Sequence, residues 1–153
     1  MAMRIESAAF SEGGQIPRSH TCDGKNVSPP LSWSGVPEGA KSLVLICDDP
    51  DAPGKTWVHW ILFNLPPGTR ELPEGVPAHA RVSGGGVQGT NDFRKVGYGG
   101  PCPPSGTHRY IFKLYALDAA LGLPAGATKA EVEGAIEGHV LGQATLTGKY
   151  SRG

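Results

Sequence analysis

The segment Ser42-Leu43-Val44-Leu45-Ile46-Cys47-Asp48 is apolar at nearly every interior position and is bounded by turn chemistry on both sides. Gly35–Ala40 precedes it, and Asp49-Pro50-Asp51-Ala52-Pro53 follows. A short, near-continuous apolar run between breakers reads as a buried central strand. That strand is the strongest constraint on the fold, because the rest of a sheet has to be built around it. It also delivers Asp48, Asp49 and Asp51 to one sheet end.

Two more runs have clear strand character. Trp57 to Leu65 ends at Pro66-Pro67-Gly68, and His108 to Leu117 follows the Pro/Gly-rich stretch Gly97–Pro104. Weaker extended pieces are expected at Met3–Ala9, from the turn at Gly13-Gly14 to His20, and at Ser28–Trp33. In the last of these, Pro29 and Pro30 remove donors and predict an edge position. Gln143 to Tyr150 alternates polar and apolar residues as a half-exposed final strand does. Leu72–Val82 shows no assignable pattern, and Ser83–Pro104 reads as one long loop. Loops of that length in a compact domain are usually functional.

The only helix expected lies near the end. Thr128-Lys129-Ala130-Glu131 fits a capping box, with Val132, Ile136 and Val140 repeating at helical spacing. Gly134 and Gly138 weaken it by about 1 kcal/mol each. With 23 glycines and 14 prolines punctuating the apolar runs, the prediction is one mainly β domain over residues 1–153, rich in turns.

Charge and hydropathy exclude several partners. Fourteen basic residues balance 14 acidic ones, so no field attracts nucleic acid or an anionic membrane. No run approaches the roughly 20 apolar residues of a membrane span. Met1–Glu6 lacks an apolar signal core, which predicts a cytoplasmic setting. Of three cysteines, Cys47 lies in the apolar strand and reads as a small buried hydrophobe. Cys22 and Cys102 both sit in loops and can pair, although a cytoplasmic setting argues against assuming it.

Chemistry concentrates at two places. Trp57 and His59, and likewise His108 and Tyr110, stand at i and i+2 of their strands and so share a face. Two such strands side by side, with acidic loops at their ends, make a polar pocket in an apolar frame. Gly84-Gly85-Gly86-Val87-Gln88-Gly89 matches the dinucleotide glycine pattern, but no amphipathic helix follows to receive a pyrophosphate. Asp49, Asp51, His59 and His108 are types that ligate divalent metals, yet their spacing matches no zinc or iron pattern. A nucleophilic hydrolase needs an activated Ser or Cys; there is no Gly-x-Ser-x-Gly, and Cys102 sits between two prolines. Anion binding fits better. Histidines donate N–H groups, Gly99, Gly100 and Gly106 admit backbone amides, and a neighbouring aspartate fixes an imidazole tautomer. Each residue alone is as well explained by a structural role; together they favour a pocket.

These same residues resemble the phosphatidylethanolamine-binding protein family, which includes Raf kinase inhibitor protein. The resemblance rests on Asp49-Pro50-Asp51-Ala52-Pro53, Trp57-Val58-His59-Trp60, and Gly97–Pro104 with His108-Arg109-Tyr110. Thr21-Cys22-Asp23-Gly24, Ser28–Trp33, Asn91-Asp92-Phe93 and His139–Ala144 resemble its bacterial and archaeal branch. It implies antiparallel β-sheets packed face to face, with a few short peripheral helices. It also implies a pocket for phosphate or a phosphorylated head group, with no cofactor, no metal and no catalytic residue. Carried over by position, the ligand-binding residues are Asp49, Trp57, His59, Gly99, Pro101, His108 and Tyr110, with Asp23, Asp51 and Pro53 at the rim or shaping the loop. The Ala52–Pro53 bond is expected to be cis, as in the family. The implied function is a non-enzymatic binding protein, possible partner regulation included, that forms a homodimer. The alternatives are an inhibitor of a protease or kinase, or a hydrolase of a phosphorylated or acyl substrate. One departure is that animal members continue into a helix bordering the pocket, whereas this sequence runs only a few residues past Tyr150.

Overall fold

β3 (Ser42–Asp49) is buried at every position and occupies the middle of a five-stranded antiparallel sheet. Its neighbours are β4 (Trp57–Leu65) and β7 (His108–Leu117). Outside these, β6 (Val87–Gln88) pairs with β4 and β8 (Val140–Tyr150) pairs with β7. A second, three-stranded sheet has β2 (Leu31–Ser34) between β1 (Arg4–Glu6) and β5 (Glu71–Leu72). This computed structural model describes residues 2–152, so Met1 and Gly153 of the expected domain lie outside it.

Alternation along β3 divides the core in two. Leu43, Leu45 and Cys47 join Ile5, Leu31 and Trp33 of the small sheet in a cluster between the two sheets. Val44 and Ile46 face the other way, into a cluster with Val132 and Ile136 of α1 (Lys129–Ile136). The architecture is therefore two antiparallel sheets packed face to face, with one helix on the outer face, as expected. Thr128 caps α1 with the full capping box, its side chain accepting from the Glu131 N–H.

Two insertions in β4 set which residues face inward. Leu43 pairs with Leu65 but Leu45 with Leu62, and Cys47 pairs with Trp60 but Asp48 with Val58. Each shift places one extra residue in β4, which reverses the phase of the side chains. The first is accommodated at Asn64, whose φ of 57° is left-handed. Asn64 fixes that turn by exchanging two hydrogen bonds with the Leu121 backbone. The second falls at His59. Trp60 and Leu62 face the inter-sheet core, and the inserted residue brings Trp57 and His59 to the same side.

Several expectations are corrected. β4 and β7 are not adjacent, because the buried β3 lies between them. β2 is the middle strand of its sheet rather than an edge, since Pro29 and Pro30 precede the ladder and remove no donor from it. The expected extended piece ending at His20 is a 3-10 turn over Arg18–His20. β1 is shorter than Met3–Ala9, and β8 begins at Val140 rather than Gln143. The long loop contains β6, and the glycine pattern leads into that strand rather than a helix. There is no cis peptide among the described residues, so Ala52–Pro53 is trans. The pairing of Cys22 with Cys102, left open by the sequence, is settled: the two form a disulfide.

Gly148 of β8 is a packing constraint. A Cβ there would lie 2.5 Å from Ile16 Cγ1 and 2.7 Å from Phe10 Cε2. Gly148→Val should therefore cost about 1–3 kcal/mol by overpacking. Urea denaturation checks this, and an unchanged midpoint would show that Phe10 and Ile16 move aside freely.

Candidate functional site

At one end of the five-stranded sheet, β3, β4 and β7 open onto a cavity of about 260 Å³. Asp49 comes from the end of β3, Trp57 and His59 from β4, and His108 and Tyr110 from β7. Ala52, Pro53 and Phe93 close one part of the wall, and Cys102, Pro103 and Pro104 another. Five of the seven sequence-predicted ligand residues thus meet at a single cavity, across three strands rather than two.

Asp49 organises its centre. Its Oδ2 accepts from His108 Nδ1 at 2.6 Å, and its Oδ1 accepts from the Asp51 N–H at 2.7 Å. One buried carboxylate therefore holds both the imidazole and the turn that follows β3. With Nδ1 committed to Asp49, Nε2 is the nitrogen of His108 left for other partners. Removing one partner of such a buried pair costs about 3–5 kcal/mol.

His59 has the opposite polarity. Its Nδ1 lies 2.6 Å from the Gly99 carbonyl, which can only accept, so Nδ1 carries the proton. Burial lowers the His59 pKa from its ordinary value, which favours the neutral ring. Nε2 then presents a lone pair. The expectation that both histidines donate is corrected here: neutral His59 is an acceptor.

Tyr110 stacks on His108 and meets His59 edge-on, with ring centroids 6.4 and 5.1 Å apart respectively. Its hydroxyl is buried and has no hydrogen-bond partner among the described residues. Burial and then the Asp49 charge push its pKa far above the ordinary value, so it is a neutral donor and acceptor. Unsatisfied buried hydroxyls are costly, and in a cavity such a group is matched by a ligand or water.

The remaining predicted residues act behind the wall. Gly99 exchanges bonds with His59, donating its N–H to the His59 carbonyl while its own carbonyl holds Nδ1. A Cβ on Gly99 would lie 2.5 Å from the Phe93 ring, so glycine is needed for that ring to seat. The Gly100 N–H goes to Asn26 Oδ1, which removes both amides from the anion-binding role. The Pro101 carbonyl accepts from the Cys22 N–H. Asp51 is engaged by the Arg109 side chain through two bonds of 2.9 Å and by its backbone N–H, and these hold its pKa down to about 2. Asp23 accepts from Tyr150, the β8 residue opposite His108, and from Arg152. The Tyr150 bond leads in lowering its pKa.

Sequence reasoning missed Phe93, Ala52, Cys102, Pro103 and Pro104 as lining residues. Phe93 packs against Trp57 and His59 at 5.6 and 5.4 Å between centroids. The signal for it was local: Asn91 folds a turn by accepting from the Phe93 and Lys95 N–H groups. Asp92 straps that turn to β4 by exchanging bonds with the Val58 backbone. No group of three or more His, Cys, Asp or Glu among the described residues is arranged to hold a metal ion.

The profile of the phosphatidylethanolamine-binding protein family matches residues 6–151. The chain belongs to that family. A UPF0098 protein of Methanothermobacter thermautotrophicus is 59% identical over 151 residues, covering 99% of this chain and 100% of that one. A UPF0098 protein of Aquifex aeolicus is 52% identical, covering 98% and 89%. The structure of a family homologue from Chlamydia trachomatis superposes with a TM-score of 0.91 at 44% identity, covering 99% of each chain. Escherichia coli YbcL, described as a member of the mammalian family, gives 0.90 at 36% identity, covering 100% of each. Among the described residues no helix is long and apolar enough to cross a membrane.

Burial of neutral His59 gives stability a defined pH dependence. Its folded pKa lies below the ordinary 6.5. The contribution is therefore fully present above about pH 6.5 and is lost as pH falls through the folded value. Between pH 7.5 and 5, the urea midpoint of wild type should fall more than that of His59→Gln. Parallel curves would remove His59 as a source of acid lability.

Proposed function

We propose that this protein is a non-enzymatic binding protein whose pocket takes a small phosphorylated ligand, of the phosphate-monoester or phospholipid head-group type. The observation that carries the reading is the buried Asp49–His108 pair at the cavity, with Nδ1 held by the carboxylate and Nε2 left free beside Tyr110. In its charged form, His108 offers an Nε2–H donor, Tyr110 a neutral O–H, and neutral His59 a lone pair. A monoprotonated phosphate supplies the complement to all three, since its P–O⁻ oxygens accept and its P–OH donates. Trp57, Phe93 and the prolines supply an apolar surround for a short organic substituent.

A hydrolytic role through a serine or cysteine nucleophile is disfavoured: Cys102 is tied in a disulfide, and among the described residues no serine lines the cavity. Regulation of a partner, such as inhibition of a protease or kinase, is the second reading. It is supported by the exposed Phe93 ring at the pocket mouth. Pull-down with Phe93→Ala and His108→Ala separates the two, because an interaction role predicts that Phe93→Ala loses the partner while small-ligand affinity survives. The proposal includes a cytoplasmic setting and, from the family resemblance, a homodimer; sizing in solution tests the latter.

Calorimetry of phosphoethanolamine tests the binding reading. Affinity should rise as pH falls from 8 to 6, because the reading needs the charged form of His108 and a monoprotonated phosphate, whose second pKa lies near 6, and acid favours both. Asp49→Asn should flatten that dependence, and Tyr110→Phe should weaken binding up to about tenfold, the worth of one hydrogen bond. Equal or weaker binding at pH 6 would overturn the charged-His108 version.

A further inference from the structure

We infer that the Cys22–Cys102 disulfide is a redox latch on the wall of the binding pocket, released by a dithiol. Cys102 lines the cavity together with Pro103 and Pro104. From Cys102 to Thr107 the chain has no regular structure, and no hydrogen bond among the described residues ties that segment to the rest of the protein. Its attachments are β7 at one end, the packing of the buried Pro103 side chain, and, at the other end, the disulfide and the adjoining Cys22 N–H to Pro101 carbonyl bond of 3.1 Å. The latch thus holds a stretch of wall that, among the described residues, has no hydrogen bonds of its own.

The two sides of the disulfide differ in rigidity. Cys22 sits on a turn closed by three bonds: the Thr21 N–H and Oγ1 both donate to the Arg18 carbonyl, and the Gly24 N–H donates to the Thr21 carbonyl. Asp23, next in sequence, is anchored to Tyr150 and Arg152. Upstream of Cys102 the chain is also held without the disulfide, by Gly99 on His59, Gly100 on Asn26 and Tyr98 on the His20 carbonyl. Opening the bond therefore leaves His59, His108 and the β-strand floor in place and frees only Cys102–Thr107. Neither cysteine is fully buried, and Cys102 borders a second cavity as well, so a small dithiol has access.

The chemistry balances as thiol–disulfide exchange. A dithiol thiolate attacks one sulfur of the Sγ–Sγ bond and forms a mixed disulfide. Its second thiol then closes the reductant's own disulfide. Two electrons and two protons pass from the dithiol to Cys22 and Cys102, which leave as thiols.

The consequence for binding rests on the pocket reading above. With the wall loose, the polar contacts at the floor persist but enclosure is lost, so the ligand leaves faster. The test compares oxidised protein, protein reduced with dithiothreitol, and Cys22→Ser, with free-thiol counts confirming each state. Backbone relaxation of Ser105, Gly106 and Thr107 should give order parameters of roughly 0.8 when oxidised and below about 0.6 when reduced or in Cys22→Ser. Phosphoethanolamine affinity should fall about tenfold in the same two samples, mostly through release. Unchanged order parameters in fully reduced protein overturn the latch, as does a loosened wall with unchanged affinity. If oxidised protein does not bind phosphoethanolamine at all, the pocket reading fails, and the relaxation data alone still decide whether the disulfide holds the wall.

Discussion

The burial of β3 on both faces is the constraint from which the fold and the site both follow. A strand covered on two sides needs a layer on each, and its alternation assigns Leu43, Leu45 and Cys47 to the inter-sheet core and Val44 and Ile46 to the helix-covered face. Carried to the strand end, the same alternation sends Asp48 and Asp49 to opposite sides. Each is a carboxylate with almost no exposure, and each needs a cationic or donor partner where it lands. Asp48 finds Lys113 of β7 and Lys129 of α1, at 3.1 and 2.8 Å. That pairing pins the first turn of the helix to the sheet. Asp49 finds His108 and the Asp51 N–H, and builds the pocket instead.

The difference between those two carboxylates is a difference in what surrounds them. Asp48 is met by flexible lysine ammonium groups that reach it from partly exposed positions, an arrangement that neutralises charge and presents nothing to solvent. Asp49 is met by an imidazole whose second nitrogen remains free beside a cavity. Adjacent residues of one strand thus serve structure and chemistry separately. Arg109 extends the division by one more residue: it takes Asp51 through a bidentate pair on the surface side of β7, while His108 beside it faces inward.

What was legible in the sequence was whatever rests on period and local turn chemistry. The apolar run of β3, the bounds of β4 and β7, and the Thr128–Glu131 capping box are all short-range signals, and each appears where expected. Strand order was not legible. The pairing of β3 with both β4 and β7 is a long-range choice, so Asp49 was read as a loop residue beside the histidines rather than as the residue between them. The insertion at His59 was also hidden. Strict alternation makes Trp57 and His59 agree with each other but disagree with Trp60 and Leu62, and only a bulge reconciles the two sets. Phe93 escaped because its position is set by Asn91 and Asp92 side chains bonded to backbone. The disulfide was named as a pairing but left undecided, because its cysteines lie 80 residues apart in sequence and only the fold brings them together.

The polarity of the two histidines bears on what kind of ligand the pocket suits, and it comes from a carboxylate at His108 and from a backbone carbonyl at His59. Asp49 holds Nδ1 of His108 and leaves its Nε2 pointing away from the carboxylate. Gly99 offers His59 only a carbonyl, a dipole that orients the ring without stabilising its charge as a carboxylate would, while burial works against charging. A dianion in this cavity would meet one charged donor, one hydroxyl and an opposing lone pair. A monoanion that keeps one proton meets a partner at every position. On the proposed function, such an arrangement would select for protonation state before the organic group, which would be left to Trp57, Phe93 and the proline wall beside the disulfide.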